Sequence, residues 1–271
     1  MRRRPFTVLA LLVLAALFLF PFLWLVSASL KPRERVFDNS LWPDPFTPAN
    51  FSEVWQAVPL PLWLLNSLLV GLAAALAVTL SSALVAFGFA YFRFRSRNLL
   101  FGLVLGTMML PAAVTMVPVY LEWDWLGLGN TQVPLWAQNL FGSAFFVFLL
   151  RQFFLSQSRE VFEAARVDGA SFPRLFTSIA LPLVRPGLIV VFVFELKNSW
   201  TELMKPLIYL RDPDLFTVPR GLKAVLDRFG QGGEAQWELV LAASTIATVP
   251  MIVVFLLAQR YFLSGLTTQR R

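Results

Sequence analysis

Glu163-Ala164-Ala165-Arg166-Val167-Asp168-Gly169-Ala170 sits within a polar segment, residues 156–185, that separates two long apolar runs. The segment closes with Leu181-Pro182-Leu183 and Pro186. The flanking runs are apolar enough to enter a bilayer, and the segment between them is not. It nevertheless carries helical pattern and stop signals. Ser158 suits the N-cap of a first short helix. Val161, Ala164, Ala165 and Asp168 recur at i, i+3, i+4 and i+7 on one face, which the two alanines keep thin. Gly169 suits the C′ position that ends the helix. Ser171 can cap a second helix with Pro173 in its first turn. Phe172, Leu175, Phe176 and Ile179 give that helix an apolar stripe, and Pro182 and Pro186 end it. Two readings of the pair stay open on these residues alone. The thin face suits close approach of another protein's backbone, whereas the aromatic stripe suits a helix resting on the bundle or the membrane surface.

Composition places the remainder of the chain in lipid. Of 271 residues, 57% are hydrophobic and 14% charged, where a soluble domain is about a quarter charged. The net charge of +7 comes from basic residues scattered between apolar runs, so it reads as topology and not as a nucleic-acid patch. With no Cys and no His, disulfides, His or thiolate metal sites and Ser-His or Cys-His catalysis are excluded. Carboxylate-only metal sites stay open, but no pair of carboxylates with a suitable motif stands out. The expectation is therefore a chain that is not an enzyme and holds no metal and no cofactor.

Six apolar runs are long enough to cross a hydrocarbon core about 30 Å thick. The first, Phe6 to Leu30, follows Met1-Arg2-Arg3-Arg4-Pro5 and would reach about 37 Å as a helix. Signal-peptide cores stop at about 15 residues, so a retained span is expected although Ser27-Ala28-Ser29 resembles a cleavage site. The others run from about Trp63 to Phe92, Leu99 to Leu121, Val133 to Leu155, Pro186 to the Trp200 region and Trp237 to Phe262. All six are expected to be helices, because backbone polar groups at that depth have no water to bond. Glu195 and Lys197 interrupt the fifth. Pro111, Pro118 and Pro250 can kink their helices, as gates or as ordinary packing. Gly71, Gly88, Gly102 and Gly106 would allow close helix contacts.

An even number of spans puts both termini on one side. Arg2, Arg3, Arg4, Arg93, Arg95, Arg97, Arg151, Arg159, Arg166, Arg174, Arg185, Arg260, Arg270 and Arg271 gather there, which assigns it to the cytoplasm. The outer side then carries residues 31–62, rich in Pro and Trp with one short helix near Asn50 to Ala57, and residues 206–236, ending in the flexible Gly230-Gln231-Gly232-Gly233. With no internal repeat, residues 1–271 read as one integral membrane domain.

Glu195, Asn198, Trp200 and Glu202 are the candidate lining of a path across the bilayer. Ionisable groups in a membrane span usually face a cavity or a partner. Glu195 and Asn198 are three apart, Asn198 and Glu202 four apart, so they share one helix face. Trp200 offers a stacking surface while the amide and carboxylates can bond hydroxyls. The competing readings are a structural ion pair for Glu195 and a snorkelling Lys197.

No engine accompanies the path. A Walker A motif needs Gly-Lys followed by Ser or Thr, and Lys31, Lys197, Lys205 and Lys223 are followed by Pro, Asn, Pro and Ala.

Glu163-Ala164-Ala165, Asp168-Gly169-Ala170 and Leu181-Pro182-Leu183, at these spacings, resemble the EAA signature of permease subunits of binding-protein-dependent bacterial ABC importers. The resemblance extends along most of the chain, through Asn66-Ser67-Leu68, Arg93-Phe94-Arg95, Met108 to Pro111, Pro118, Leu126-Gly127-Leu128 with Asn130-Thr131, Phe148 to Phe154, Thr217-Val218-Pro219, and Gln259 to Phe262 with Gly265-Leu266-Thr267. These are similar to the second permease of the carbohydrate-uptake branch, of the maltose or glycerol-phosphate type. Departures exist. Gln157 and Ser158 stand where the family often has Pro, and Thr201, Leu203 and Lys205 replace the frequent Asn, Phe and Trp.

The resemblance implies a type I importer fold in a bacterial inner membrane. It also implies a second permease subunit, two ATPase subunits that use ATP and Mg, and an extracytoplasmic solute-binding protein. By matched position, Glu163 would be the acidic contact to the ATPase, Ala164 and Ala165 the close-packing face, and Gly169 the turn, with Asp168 and Ala170 in the same ATPase-coupling stretch. The rival class is a self-sufficient secondary transporter or channel.

Overall fold

In the computed structural model the described residues are 5–230 and 235–267, and they form helices and connections without a β-strand. Arg2, Arg3, Arg4, Gln231, Gly232, Gly233, Arg270 and Arg271 lie outside them. Three helices are long and apolar enough to cross a membrane unbroken: α1 (Pro5–Ser29), α3 (Leu60–Tyr91) and α14 (Trp237–Thr267). Three bent pairs bring the total to as many as six if each pair is one span.

The third expected span is α4 (Arg97–Thr107) and α5 (Ala112–Trp125), bent by 95°. Pro111 stands at the break with an extended backbone, φ −62° and ψ 133°. The residue preceding a proline is kept out of the helical region and the proline has no N–H to continue the ladder. Pro118 lies inside α5. The fourth span is α6 (Val133–Ala137), extended by a 3₁₀ turn at Gln138–Phe141, then α7 (Ala144–Leu155), bent by 42°. Gly142 makes this bend at φ 80°, a backbone state that side chains resist. The kink read at Pro111 is thus a full break, and the bend at Gly142 has no counterpart in the sequence reading. Of the four glycines assigned to close contacts, only Gly71 makes one. A Cβ there would come within 2.9 Å of Leu196, while the Cβ positions of Gly88, Gly102 and Gly106 are open.

The chain packs as two units. One comprises Met1–Leu64 and Arg220–Pro250, the other Leu65–Pro219 and Met251–Arg271. In the first, α2 (Ala49–Ala57) forms where a short helix is expected, and the Asn50 amide donates to the carbonyls of Ser29 and Lys31, each at 2.9 Å. Lys31 is 1% exposed and donates to Asp38 and to the Ser40 carbonyl. Residues 206–230 hold more structure than the expected loop. They include α13 (Val218–Phe229), whose Val218, Gly221 and Val225 are buried along one face. Gly221 packs so tightly on Trp63 that a Cβ would lie 2.1 Å from the indole.

In the second unit, Asn66 donates to the Asp214 and Phe216 carbonyls at 2.8 and 3.0 Å, and the Val218 N–H donates to Ser67 Oγ at 2.7 Å. These bonds tie residues 214–218 to the start of α3 and account for polar side chains buried in an apolar helix. The unit's core gathers Val78, Ala86 and Phe87 of α3 with Phe146, Leu150 and Phe154 of α7.

Candidate functional site

The polar segment is rooted in that core. α8 (Arg159–Val167) buries only Phe162, 4% exposed, beside Phe87 and Phe154. Leu175 and Ala180 of the following stretch join the same cluster. A fully buried Phe contributes about 1.5–3 kcal/mol, which is enough to hold so short a helix in place. Val161, Ala164 and Asp168, on the other side of α8, are exposed, as is Glu163, and Ala165 is half-buried. The thin face anticipated from the sequence is thus presented outward, with Ala165 rotated toward the core.

The helix ends as its residues dictate. Gly169 has φ 81°, its N–H bonds the Arg166 carbonyl at 3.1 Å, and the Ala170 N–H bonds that of Ala165 at 2.9 Å. This is a Schellman stop, with Ala170 buried as its apolar contact. Arg166 donates to the Ala170 carbonyl at 2.7 Å and lies 4.3 Å over the Phe172 ring, closing the turn. Ser158 and Ser171 occupy the N-cap positions with extended backbones but make no side-chain capping bond. Beyond Ser171 the second helix is α9 (Phe172–Leu175), a π turn at Phe176–Ala180, and α10 (Leu181–Leu183). A 79° bend then leads into α11 (Arg185–Thr201).

A second group lies along α11. Glu195, Asn198 and Glu202 line one cavity of about 630 Å³ with Asn139 and Lys205. Asn139 Nδ2 donates to Glu195 Oε1 and, at 3.3 Å, to the Ala74 carbonyl, while its own carbonyl accepts from Ser81 Oγ at 2.9 Å. The shared helix face extends only to Asn198. α11 stops at Thr201, and Glu202 turns extended at φ −69° and ψ 121°. The Glu202 carboxylate accepts the N–H groups of Met204 and Lys205 and opens α12 (Met204–Tyr209). Trp200 does not join the group as a stacking surface. It is 6% exposed in the packed interior, because it lies about 200° around the helix from Asn198. Asn139 was not singled out in the sequence, although the Gln138-Asn139 pair inside an apolar run is a signal for a buried polar contact.

Among the described residues no group of His, Cys, Asp or Glu could hold a metal ion.

Residues 79–267 match the family model described as binding-protein-dependent transport system inner membrane component. An arabinooligosaccharides transport system permease protein of Halalkalibacterium halodurans is 32% identical, over 94% of this chain and 91% of that protein. An sn-glycerol-3-phosphate transport system permease protein of Yersinia pestis is 34% identical, over 96% and 95%. A chain of a bacterial ABC transporter involved in import of the acidic polysaccharide alginate superposes with a TM-score of 0.83 at 21% identity, covering 94% of this chain and 95% of that one.

Proposed function

Because this chain belongs to the binding-protein-dependent transport system inner membrane components, we propose that it moves its solute by a lever that a separate ATPase drives. It is a transmembrane permease subunit of an ABC importer for carbohydrate or a related solute, and a self-sufficient transporter is not favoured. The docking element is α8. Glu163 makes the acidic contact, Ala164 admits the ATPase backbone beside the half-buried Ala165, and Asp168, Gly169 and Ala170 set the exit angle. The observation that carries this reading is the division of α8 into two sides, with Phe162 buried among Phe87 and Phe154 and Val161, Ala164 and Asp168 exposed. A force on the exposed side reaches α3 and α7 through packed rings and not through a flexible linker.

Two ATPase subunits, a second permease and an external binding protein complete the complex in this reading, with ATP and Mg used by the ATPases. Both termini and α8 face the cytoplasm of a bacterial cell, and residues 1–271 act as one permease. The chain's own work is a difference in stability between inward- and outward-facing states. The ATPase biases that difference by binding one state more tightly.

The path side of the chain is the cavity of Glu195, Asn198, Asn139, Glu202 and Lys205. The carboxyl, amide and amine groups on this wall suit hydroxyl groups that donate and accept. A saccharide is the solute class this supports.

Reconstitution into vesicles with the second permease, the binding protein and the ATPase tests the whole reading. Uptake is expected only with ATP and all partners, and Glu163→Lys is expected to lose both ATPase association and uptake. Concentrative uptake by the chain alone would sink the proposal.

A further inference from the structure

A cavity of about 270 Å³ opens where α3, α4, α7 and α8 meet, and three guanidinium groups, those of Arg93, Arg97 and Arg159, line it over a floor that includes Phe87, Phe154 and Phe162. Arg151 stands behind, its guanidinium 4.3 Å over the Phe101 ring. None of these cations is balanced by protein. The ion pairs of Lys31 with Asp38 and of Lys223 with Asp227 lie elsewhere, and neither Glu160 nor Glu163, the nearest acids along the chain, pairs with the cluster. Arg159 donates one long bond, 3.4 Å, to the Tyr91 carbonyl. The Nε atoms of Arg97 and Arg151 are buried with no acceptor. Buried donors are ordinarily satisfied, and like charges drawn together at the edge of a low-dielectric region repel unless an anion joins them.

The form of the site selects the anion. A carboxylate fits one guanidinium fork, whereas a tetrahedral phosphate offers oxygens to several forks from different directions. The cavity also sits at the ends of membrane helices. Phe94 and Leu99, beside Arg93 and Arg97, are 42% and 68% exposed, an apolar surface next to a cationic one. That juxtaposition fits a headgroup whose acyl chains run along the helices.

We propose that the cavity bounded by Arg93, Arg97 and Arg159 binds a phosphate group, supplied by an anionic phospholipid. Since Arg159 and Phe162 belong to α8, the occupant would brace the root of the polar segment. The proposal does not depend on what α8 docks against.

The test uses the assembled transporter in neutral detergent, offered phosphatidylglycerol and phosphatidylcholine of identical acyl chains in equal amounts, with retained lipid counted by native mass spectrometry. A second arm measures the shift in melting temperature with inorganic phosphate. Wild type is expected to retain phosphatidylglycerol about tenfold over phosphatidylcholine. The preference should fall several-fold in Arg93→Gln and in Arg159→Gln, both exposed and tolerant positions, and vanish in the triple variant with Arg97→Gln. Equal lipid retention with a phosphate-induced stabilisation lost in the same variants would support the site with soluble phosphate as its source. Equal retention with no phosphate effect, or a lipid preference that survives all three substitutions, would overturn it. So would variants that keep the preference and lose only ATPase association, because the cations would then serve a protein partner.

Discussion

The ring of Phe162 on α8 lies 6.2 Å from the ring of Phe87 near the end of α3, tilted by 50°. Phe87 is at the same time within 5.5 Å of Phe154 and 5.4 Å of Phe176. One side chain therefore joins the second span, the fourth span and both helices of the polar segment. Displacing α8 obliges these rings to repack together.

Phe162→Ala removes the anchor and leaves the exposed side of α8 intact. Burial of this kind is worth about 3–5 kcal/mol in a large-to-small substitution. The expected outcome is an ATPase that still co-purifies and still hydrolyses ATP, with solute carried per ATP reduced by about tenfold. An unchanged ratio of uptake to hydrolysis would show that the anchor transmits nothing.

Gly169 separates backbone geometry from crowding. Its φ is 81° and nothing lies within 4 Å of the Cβ position, so Gly169→Ala should cost about 1 kcal/mol through the backbone alone. Gly169→Pro should cost more, since it also deletes the N–H that bonds Arg166. Limited proteolysis of the segment reads both, with the order wild type, Ala, Pro in rising susceptibility. An Ala variant as resistant as wild type would contradict the assigned turn.

Asn139 holds Glu195 at the cavity wall. Asn139→Leu leaves the Glu195 carboxyl without that donor, a cost of about 1–3 kcal/mol for a buried acceptor left unpaired. Glu195→Gln keeps an acceptor for Asn139. Uptake assays are expected to show a larger defect for Asn139→Leu than for Glu195→Gln. The reverse order would mean that charge, and not placement, is what Glu195 supplies.

Lys31 and Asp38 make a pair whose contribution depends on pH. The bond from Lys31 holds the Asp38 carboxyl below its ordinary value. A carboxylate lowered in the folded state stabilises fully above its unfolded value of about 3.9 and loses that contribution as pH falls through the folded value. The melting temperature of wild type should thus exceed that of Asp38→Asn by a constant amount above about pH 5. The gap should close on further acidification. A gap that widened on acidification would exclude the pair as its cause.

What the sequence determined by itself was the local part of this protein. Apolar length alone marked the spans, since lipid offers the backbone no partner and a run of that length must close its own hydrogen bonds. The stop at Gly169 and the break at Pro111 were legible for the same reason, each being a property of one residue's allowed backbone. The helix at Val218–Phe229 was not legible in this way, and residues 206–236 read as an outer loop. Only the tertiary structure decided the 95° bend after Thr107, the meeting of Asn139 with Glu195, the burial of Trp200 and the convergence of Arg93, Arg97 and Arg159. Periodicity reports which side of a helix a residue occupies. Which neighbour fills that side depends on how elements distant in sequence pack, and no local pattern encodes it.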